Sequence, residues 1–420
     1  MAYPLTIEKI VYPGRSLGRR EGKVVFTDEG APGETVLIEP LKDKKTYIEA
    51  RTLEILTPSP RRIPPRCTHY KICAPYQYLD YPFQLEIKKA QLSDTYIRTL
   101  KTAPLDIPLT PAVSLWGYRN KVNFSLIPDN GTSQWGYHDP HRPEHLLPVT
   151  DCHLISPTMN RCKDRILALL DKEQKEGIEE ITLRENAKSQ LLILLSMKKP
   201  SVDIRSIAPL IAKEFSLSGI SCEYKGRISV VYGQDYFDEQ CGNVIYRVGV
   251  HSFFQINRDA LTSMFDTISG WLALSGKETL VDLYSGIGTF GLFFAQKASR
   301  IIAVEPELSN VFCLEENIRR NRIDNVSVFH YTSEQWFSLG DTAAIDTLIV
   351  DPPRRGLGPY VCEHILKKRP KRIVYVSCDM STFIRDIKSL IGSYGLKRLA
   401  AFDFFPHTPH LELCGLLELK

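Results

Sequence analysis

The sequence predicts an α/β protein. It places a doubly wound, Rossmann-like domain in the carboxyl half, a small OB-like β-barrel at the amino end, and a mixed α+β domain between them. Three observations predict this arrangement. From about Leu280, near-continuous apolar β-type runs alternate with helical stretches, the pattern of a parallel sheet covered on both faces. Residues 1–57 instead alternate short β-type runs with turn residues. From Trp116 to about Ile245, helices and strands mix without a repeat. At 420 residues the chain exceeds one ordinary core, and the expected domains are 1–57, 58–248 and 249–420.

Taken in order, IEKIVY, KVVFT, TVLIEPL and TYIEARTLEIL are punctuated by Pro13-Gly14 and Ala31-Pro32-Gly33. Together they read as a barrel of the kind that binds oligonucleotides on one face, with a purely structural barrel as the alternative. TPSPRRIPPR, residues 57–66, reads as a linker because four of its ten residues are proline. Residues 84–101 place Leu85, Ile87, Leu92, Ile97 and Leu100 on one side of a helix. Strands are expected near 118–127, 179–184 and 190–196, and helices near 157–171 and 203–214. In the carboxyl half, TLVDLY, RIIAVE, VSVFH, DTLIVD and RIVYVS read as strands; FGLFFAQ, LSNVFCLEENIRRN and TFIRDIKSLI read as helices.

Composition bounds the function. With 43% hydrophobic and 24% charged residues, and no apolar run long enough for a bilayer, the chain reads as soluble and without a membrane partner. The ten cysteines, with no signal peptide ahead of them, are expected as reduced thiols in the cytoplasm. A net charge of +4 permits a nucleic-acid partner without demanding one. Basic residues cluster at Arg15/Arg19/Arg20, Arg61/Arg62/Arg66, Arg119/Lys121 and Arg354/Arg355. Each cluster alone fits a solvated surface; four of them near other signals weigh more. No protein partner is implied.

The first strand of the carboxyl domain ends in DLYSGIGTFG, 282–291. Gly286 and Gly288 allow a tight turn and a close approach of backbone to a ligand. Glu305 closes the next strand, where an acidic side chain is placed to accept from ribose hydroxyls. The loop alone leaves NAD and S-adenosylmethionine both open. DPPRRG, 351–356, decides between them. Two prolines after a strand-terminal Asp stiffen the backbone at the edge where ligands of this architecture sit. Asp351-Pro-Pro suits a methyltransferase holding a planar base beside its methyl donor.

Cys378 follows the next strand, VYVS, at the same edge, which reads it as a nucleophile rather than a core thiol. FDFFPHTPHLEL crowds Asp403, His407, His410 and Glu412 into one turn entering the final strand. The two histidines read as hydrogen-bonded loop residues. A thiol, a carboxylate and a methyl donor together fit methylation of a pyrimidine at carbon 5. Attack of the thiolate at carbon 6 activates carbon 5, and a base later removes the carbon-5 proton.

With these residues in place, the sequence resembles the RNA uracil-5-methyltransferase family. It is most similar to the 23S rRNA branch, which carries an amino-terminal TRAM barrel. The matching motifs are HSFFQIN (251–257), GYRNKVNFS (117–125), DLYSGIGTFG, AVEP, DPPRRGL, the Ser-Cys of YVSCD, and DFFPHTPHLE. The resemblance implies S-adenosylmethionine contacts from Gln255, Tyr284, Gly286, Gly288, Glu305 and Asp351. It likewise implies Cys378 as nucleophile, Glu412 as general base, and 23S rRNA as the RNA partner. Two departures stand out. Asp379-Met380 replaces the family's Asn-Pro, and an acidic neighbour opposes thiolate formation unless Asp379 points away. In CTHYKICAPYQYLDY, Cys67 and Cys73 match the first two ligands of the branch's [4Fe-4S] cluster and Cys152 the fourth, while the third is missing. Such a cluster needs four thiolates, so an empty site is expected, held by packing of Tyr76, Tyr78, Tyr81 and Phe83.

The alternatives are a tRNA uridine-5 methyltransferase, a methyltransferase acting on an exocyclic amine, which would leave Cys378 and Glu412 idle, and a vestigial RNA-binding or assembly factor.

Overall fold

The computed structural model describes residues 1–103, 106–128, 133–139, 142–172, 177–199, 204–339 and 344–420. They form two compact units: Met1–Ala112 with Ala401–Glu412, and Val113–Ala400 with Leu413–Lys420.

In the first unit, the alternating pattern of residues 1–57 becomes five strands: β1 (Tyr3–Val11), β2 (Arg15–Arg20), β3 (Lys23–Thr27), β4 (Thr35–Asp43) and β5 (Tyr47–Thr57). They close into a barrel in the order β1-β2-β3-β5-β4. Every second side chain turns inward, so Leu5, Ile7, Val25, Val36, Ile38 and Ala50 fill the interior. A Cβ on Gly18 would lie 2.3 Å from the Thr6 carbonyl oxygen. Only glycine lets β1 and β2 approach this closely.

The stretch 57–66, expected as a linker, is tied into this unit. Arg62 donates to Glu29 at 2.7 Å and to both Glu34 oxygens at 2.7 and 2.8 Å. Arg61 holds Asp80 with two bonds. Charge pairing thus overrides the proline signal, and Arg62 is a structural cation rather than part of an open basic patch. A short turn, α1 (Tyr70–Cys73), precedes α2 (Tyr81–Leu100). Asp80 caps α2 by accepting from Phe83 N. Ile10, Ala31, Tyr76, Tyr78, Leu79 and Ile87 form a second small core with Tyr70 and Phe83 packed against it. The aromatic packing expected for Tyr76, Tyr78 and Phe83 is therefore present, whereas the Tyr81 hydroxyl bonds Asp403 at 2.9 Å. β6 (Leu109–Thr110) pairs with Ala401 and Phe402.

The second unit opens with β7 (Lys121–Ile127), β8 (Gln134–Asp139), β9 (Arg142–Pro148), α3 (Pro157–Lys172), β10 (Ile178–Glu185), β11 (Leu191–Met197), α4 (Ala208–Glu214), β12 (Leu217–Tyr224) and β13 (Arg227–Gly233). Its sheet runs β13-β12-β11-β10-β7-β8-β9. The strands expected near 118–127, 179–184 and 190–196 are β7, β10 and β11. Helix α4 is shorter than its expected span, whose first residue, 203, lies outside the described residues. A hairpin, β14 (Tyr236–Cys241) with β15 (Val244–Gly249), leads to α5 (Arg258–Leu272).

The Rossmann-like part continues with β16 (Thr279–Leu283), α6 (Thr289–Phe294), β17 (Arg300–Val304), α7 (Leu308–Arg320), β18 (Val326–Phe329), α8 (Ser333–Ser338), β19 (Thr347–Val350), α9 (Gly358–Lys368), β20 (Arg372–Ser377), α10 (Met380–Leu390), β21 (Tyr394–Phe402) and β22 (Glu412–Leu419). Strands β18-β17-β16-β19-β20 are parallel, as their apolar runs predict. Beyond these five the sheet continues with β22, which pairs antiparallel with β20. β22 is as apolar as the parallel strands, and periodicity carries no information on direction.

Candidate active site

The carboxyl ends of β16, β17 and β19 bring three acidic residues to one edge of the sheet, and the loop after β16 supplies the backbone beside them. Tyr284 holds a left-handed φ of 63°, an uncommon conformation for an aromatic residue that marks a constrained turn. Gly286 and Gly288 follow at φ 56° and 90°. A Cβ on Gly288 would meet Leu314 Cδ1 at 2.6 Å, so this glycine lets the loop lie on α7. Asn317 is buried on α7 and donates to the Ile287 carbonyl at 3.0 Å, fixing the loop from behind.

Glu305, one residue beyond β17, accepts from Gly286 N at 2.8 Å, Glu307 N at 3.0 Å and Asn310 Nδ2 at 3.1 Å. The glycine turn and Glu305, each read from the sequence as a separate cofactor contact, are thus hydrogen-bonded to each other. Ser285 Oγ is buried without a hydrogen-bond partner among the described residues. A buried orphan hydroxyl in a glycine turn fits a loop built to receive a polar ligand. Gln255 Nε2 lies 3.3 Å from Asp351 Oδ2, and Asn120 Nδ2 supports Gln255 through its carbonyl at 2.9 Å. Residues 96 positions apart are therefore brought together where sequence reading placed both on the cofactor.

Burial pushes Asp351 up to about 7, although the Gln255 bond works the other way. Asp282 went unassigned in the sequence reading, though it opens the DLYSGIGTFG motif. Burial pushes it up to about 8, with the charges of Asp351 and Glu305 adding to the shift and a bond from Gly291 N opposing it. Its Oδ2 accepts from Gly291 N at 2.7 Å, while Oδ1 has no partner among the described residues.

The loop 351–356 is latched by α10. Thr382 Oγ1 donates to the Arg354 carbonyl at 3.1 Å, and Arg385 donates to the Arg355 carbonyl at 2.8 Å. Asp386 accepts from Leu357 N at 2.8 Å and from the Tyr375 hydroxyl at 2.7 Å. These anchors lay outside the quoted motifs, and no local pattern in the sequence singles them out.

Cys378 follows β20 directly and is partly accessible. Asp379 is the N-cap of α10 and accepts from Thr382 N at 2.9 Å. Its carboxylate is thus committed to the helix end, which explains how an acidic residue is accommodated after the cysteine. The register of β20 and β22 pairs Ser377 with Leu413.

Within the first unit, α2 grips the segment that leads to Glu412. Gln84 accepts from His407 N at 2.9 Å and reaches His407 Nδ1 at 3.1 Å. Tyr76 N donates to the His407 carbonyl at 2.8 Å. His407 is therefore a hydrogen-bonded loop residue with a left-handed φ of 67°. Glu412 itself is buried.

The cysteines do not fit a [4Fe-4S] cluster. Cys67 Sγ lies 3.3 Å from Gln77 Nε2, and Cys152 Sγ lies 3.4 Å from the Tyr137 hydroxyl. No group of three or more His, Cys, Asp or Glu is arranged to hold a metal among the described residues.

Three comparisons bear on this geometry. The family model described as tRNA (uracil-5-)-methyltransferase matches residues 80–420. An uncharacterized RNA methyltransferase of Synechocystis is 32% identical over 442 residues, covering 99% of this chain and 95% of its own. One from Bacillus cereus is 27% identical over 445 residues, covering 99% and 96%. The structure of Pyrococcus abyssi tRNA (uracil-54, C5)-methyltransferase in complex with S-adenosyl-L-homocysteine superposes with a TM-score of 0.80 at 24% identity, covering 99% of this chain and 100% of that one.

Proposed function

The chain belongs to the tRNA (uracil-5-)-methyltransferase family, and from that premise we propose that it methylates carbon 5 of a uridine in RNA through a covalent bond from Cys378. The observation that carries the reading is the convergence at one sheet edge of the Gln255–Asp351 pair, the Glu305-bonded glycine turn, and Cys378 at the end of β20.

S-adenosylmethionine supplies an electrophilic methyl group when bound. Gln255, Tyr284, Gly286, Gly288, Glu305 and Asp351 would hold it, and the orphan Ser285 hydroxyl fits a polar ligand in the same turn. Cys378 attacks carbon 6 of the uracil as a thiolate, and the electron pair of the carbon 5–carbon 6 double bond moves into an enolate. Carbon 5 becomes nucleophilic as a result. Once carbon 5 is methylated, Glu412 takes its proton; the double bond re-forms and expels the thiolate. Cytoplasmic action on RNA completes the reading.

The basic barrel at the amino end favours ribosomal 23S RNA as the substrate. Charge there is partly paired on the barrel's surface, since Arg19 pairs with Glu8 at 2.8 Å and Arg20 stacks on Tyr3 at 3.7 Å. Transfer RNA is the second reading, favoured because a tRNA methyltransferase shares this fold over 99% of the chain. Mapping 5-methyluridine by mass spectrometry in rRNA and tRNA, from cells with and without the protein, tests both. Loss of one rRNA modification supports the first, and loss of a tRNA modification supports the second. Unchanged 5-methyluridine in both defeats the proposal.

A further inference from the structure

Two cations of the second unit stand opposite each other, and among the described residues neither forms an ion pair with an acid. Lys121 opens β7, Arg184 lies near the end of β10, and the antiparallel register pairs them directly. Their side chains therefore leave the same face of the sheet. Arg184 is 3% exposed. It donates to the Ser252 carbonyl, while its Nε has no partner among the described residues. The Lys121 side chain has neither a hydrogen bond nor an ion pair among the described residues, and its one electrostatic neighbour there is Arg184 itself. The pair borders the segment that carries Gln255. Between the two cations' strands and that segment run bonds from Asn120 N to the Ile256 carbonyl at 3.1 Å and from Asn120 Nδ2 to the Gln255 carbonyl at 2.9 Å.

We propose that Lys121, backed by Arg184, is a phosphate-binding site that seats one phosphodiester of the RNA strand beside the Gln255 segment. The proposal rests on the RNA-methyltransferase reading and adds a contact to it. Two like charges at low exposure repel each other and lose hydration. An anion between the strand and solvent relieves both penalties. Burial and then the Arg184 charge pull Lys121 down to about 8, and burial pulls Arg184 down to about 10, in keeping with a cation pair that lacks its counter-ion. Lysine is a point-charge donor suited to phosphate. Phosphate contacts set the register of a nucleic acid without reading its sequence, which is what presenting one uridine to a fixed nucleophile requires. The carboxylate of the methyl donor is a second source of the same anionic chemistry, and the test separates the two.

The probe is a fluorescein-labelled uridine dodecamer, bound to the full-length protein by anisotropy at several salt concentrations. Calorimetry with S-adenosylhomocysteine runs in parallel. Lys121→Met should reduce the slope of log K against log salt by about 0.7, the value for one single-stranded phosphate contact. Its S-adenosylhomocysteine affinity should stay at the wild-type value, which also shows that the variant is folded. Lys121→Arg, which keeps the charge, should restore most of the slope. An unchanged slope in Lys121→Met overturns the proposal. So does lost S-adenosylhomocysteine affinity with the slope intact, which assigns the site to the cofactor carboxylate. Equal losses in the Met and Arg variants also overturn it, since charge would then be irrelevant. Failure of wild-type protein to bind S-adenosylhomocysteine would defeat the methyltransferase reading instead, whatever the slope does.

Discussion

Lys88 Nζ lies 2.6 Å from Asp403 Oδ1, and both side chains are fully buried. Lys88 also donates to the Phe405 carbonyl at 3.1 Å, and Tyr81 donates to the other Asp403 oxygen at 2.9 Å. One face of α2, with Tyr81, Gln84 and Lys88 one turn apart, thus holds the segment that runs into Glu412. The arrangement places a structural helix from one end of the chain in charge of a loop at the other.

Removing one partner of this pair strands the other as a buried charge. Lys88→Met should destabilise the protein by about 3–5 kcal/mol. The double variant Lys88→Met/Asp403→Leu should regain most of that loss, because no charge is left unpaired. Urea denaturation of the two variants and the wild type checks this. A double variant no more stable than Lys88→Met would show that the pair acts through the hydrogen bonds to Tyr81 and Phe405 instead.

Asp282 gives the stability a pH dependence of unusual sign. Its folded value, pushed up to about 8, lies above the ordinary carboxylate value, so the folded state holds a proton that the unfolded chain has released. Its contribution is full below about pH 4 and is lost as pH rises through about 8, at a slope approaching 1.4 kcal/mol per pH unit. Asp282→Asn keeps an acceptor for Gly291 N and removes the titration. The stability difference between variant and wild type should therefore shift in the variant's favour between pH 5 and pH 8, read from urea midpoints. A constant difference across that range would mean that Asp282 is ionised throughout.

Much of this architecture was legible because its signals are local. The glycine turn, Asp351 and Cys378 all follow apolar strands, and strand ends in a doubly wound sheet face the ligand crevice. The barrel was legible from alternation alone. What stayed hidden depends on pairs far apart in sequence. Arg62 reads as part of a basic, proline-rich tether until Glu29 and Glu34 are seen around it. Asp386 reads as one charge on an amphipathic helix, yet it anchors Leu357 and Tyr375. The reversal of β22 was hidden because a buried strand is apolar whichever way it runs.

Asp379 separates capping from thiol chemistry. Asp379→Ala removes the acceptor for Thr382 N and should lower stability by about 1 kcal/mol. Asp379→Asn keeps a capping oxygen and removes the negative charge beside Cys378, so its thiolate should form at lower pH. Iodoacetamide labelling of the Cys378 peptide, followed by mass spectrometry across pH 6 to 9, should show faster alkylation in Asp379→Asn than in wild type. Equal rates would mean that capping already isolates the carboxylate from the thiol.

Cys378 and Glu412 act at different steps in the proposed mechanism, so their variants should fail differently. Cys378→Ala cannot activate the uracil ring and should bind RNA without bonding to it. Glu412→Gln keeps the nucleophile but lacks the base that takes the carbon-5 proton. It should accumulate methylated RNA joined to the protein by a thioether, visible as a shifted band in denaturing electrophoresis. Wild-type protein should give the same band with RNA carrying 5-fluorouridine at the target, because fluorine cannot depart as a cation. The two traps are independent, since one withholds the base and the other withholds the proton. A band in neither would return Cys378 to the role of a packing residue, and carbon-5 methylation by Cys378→Ala at the wild-type rate would end the covalent mechanism.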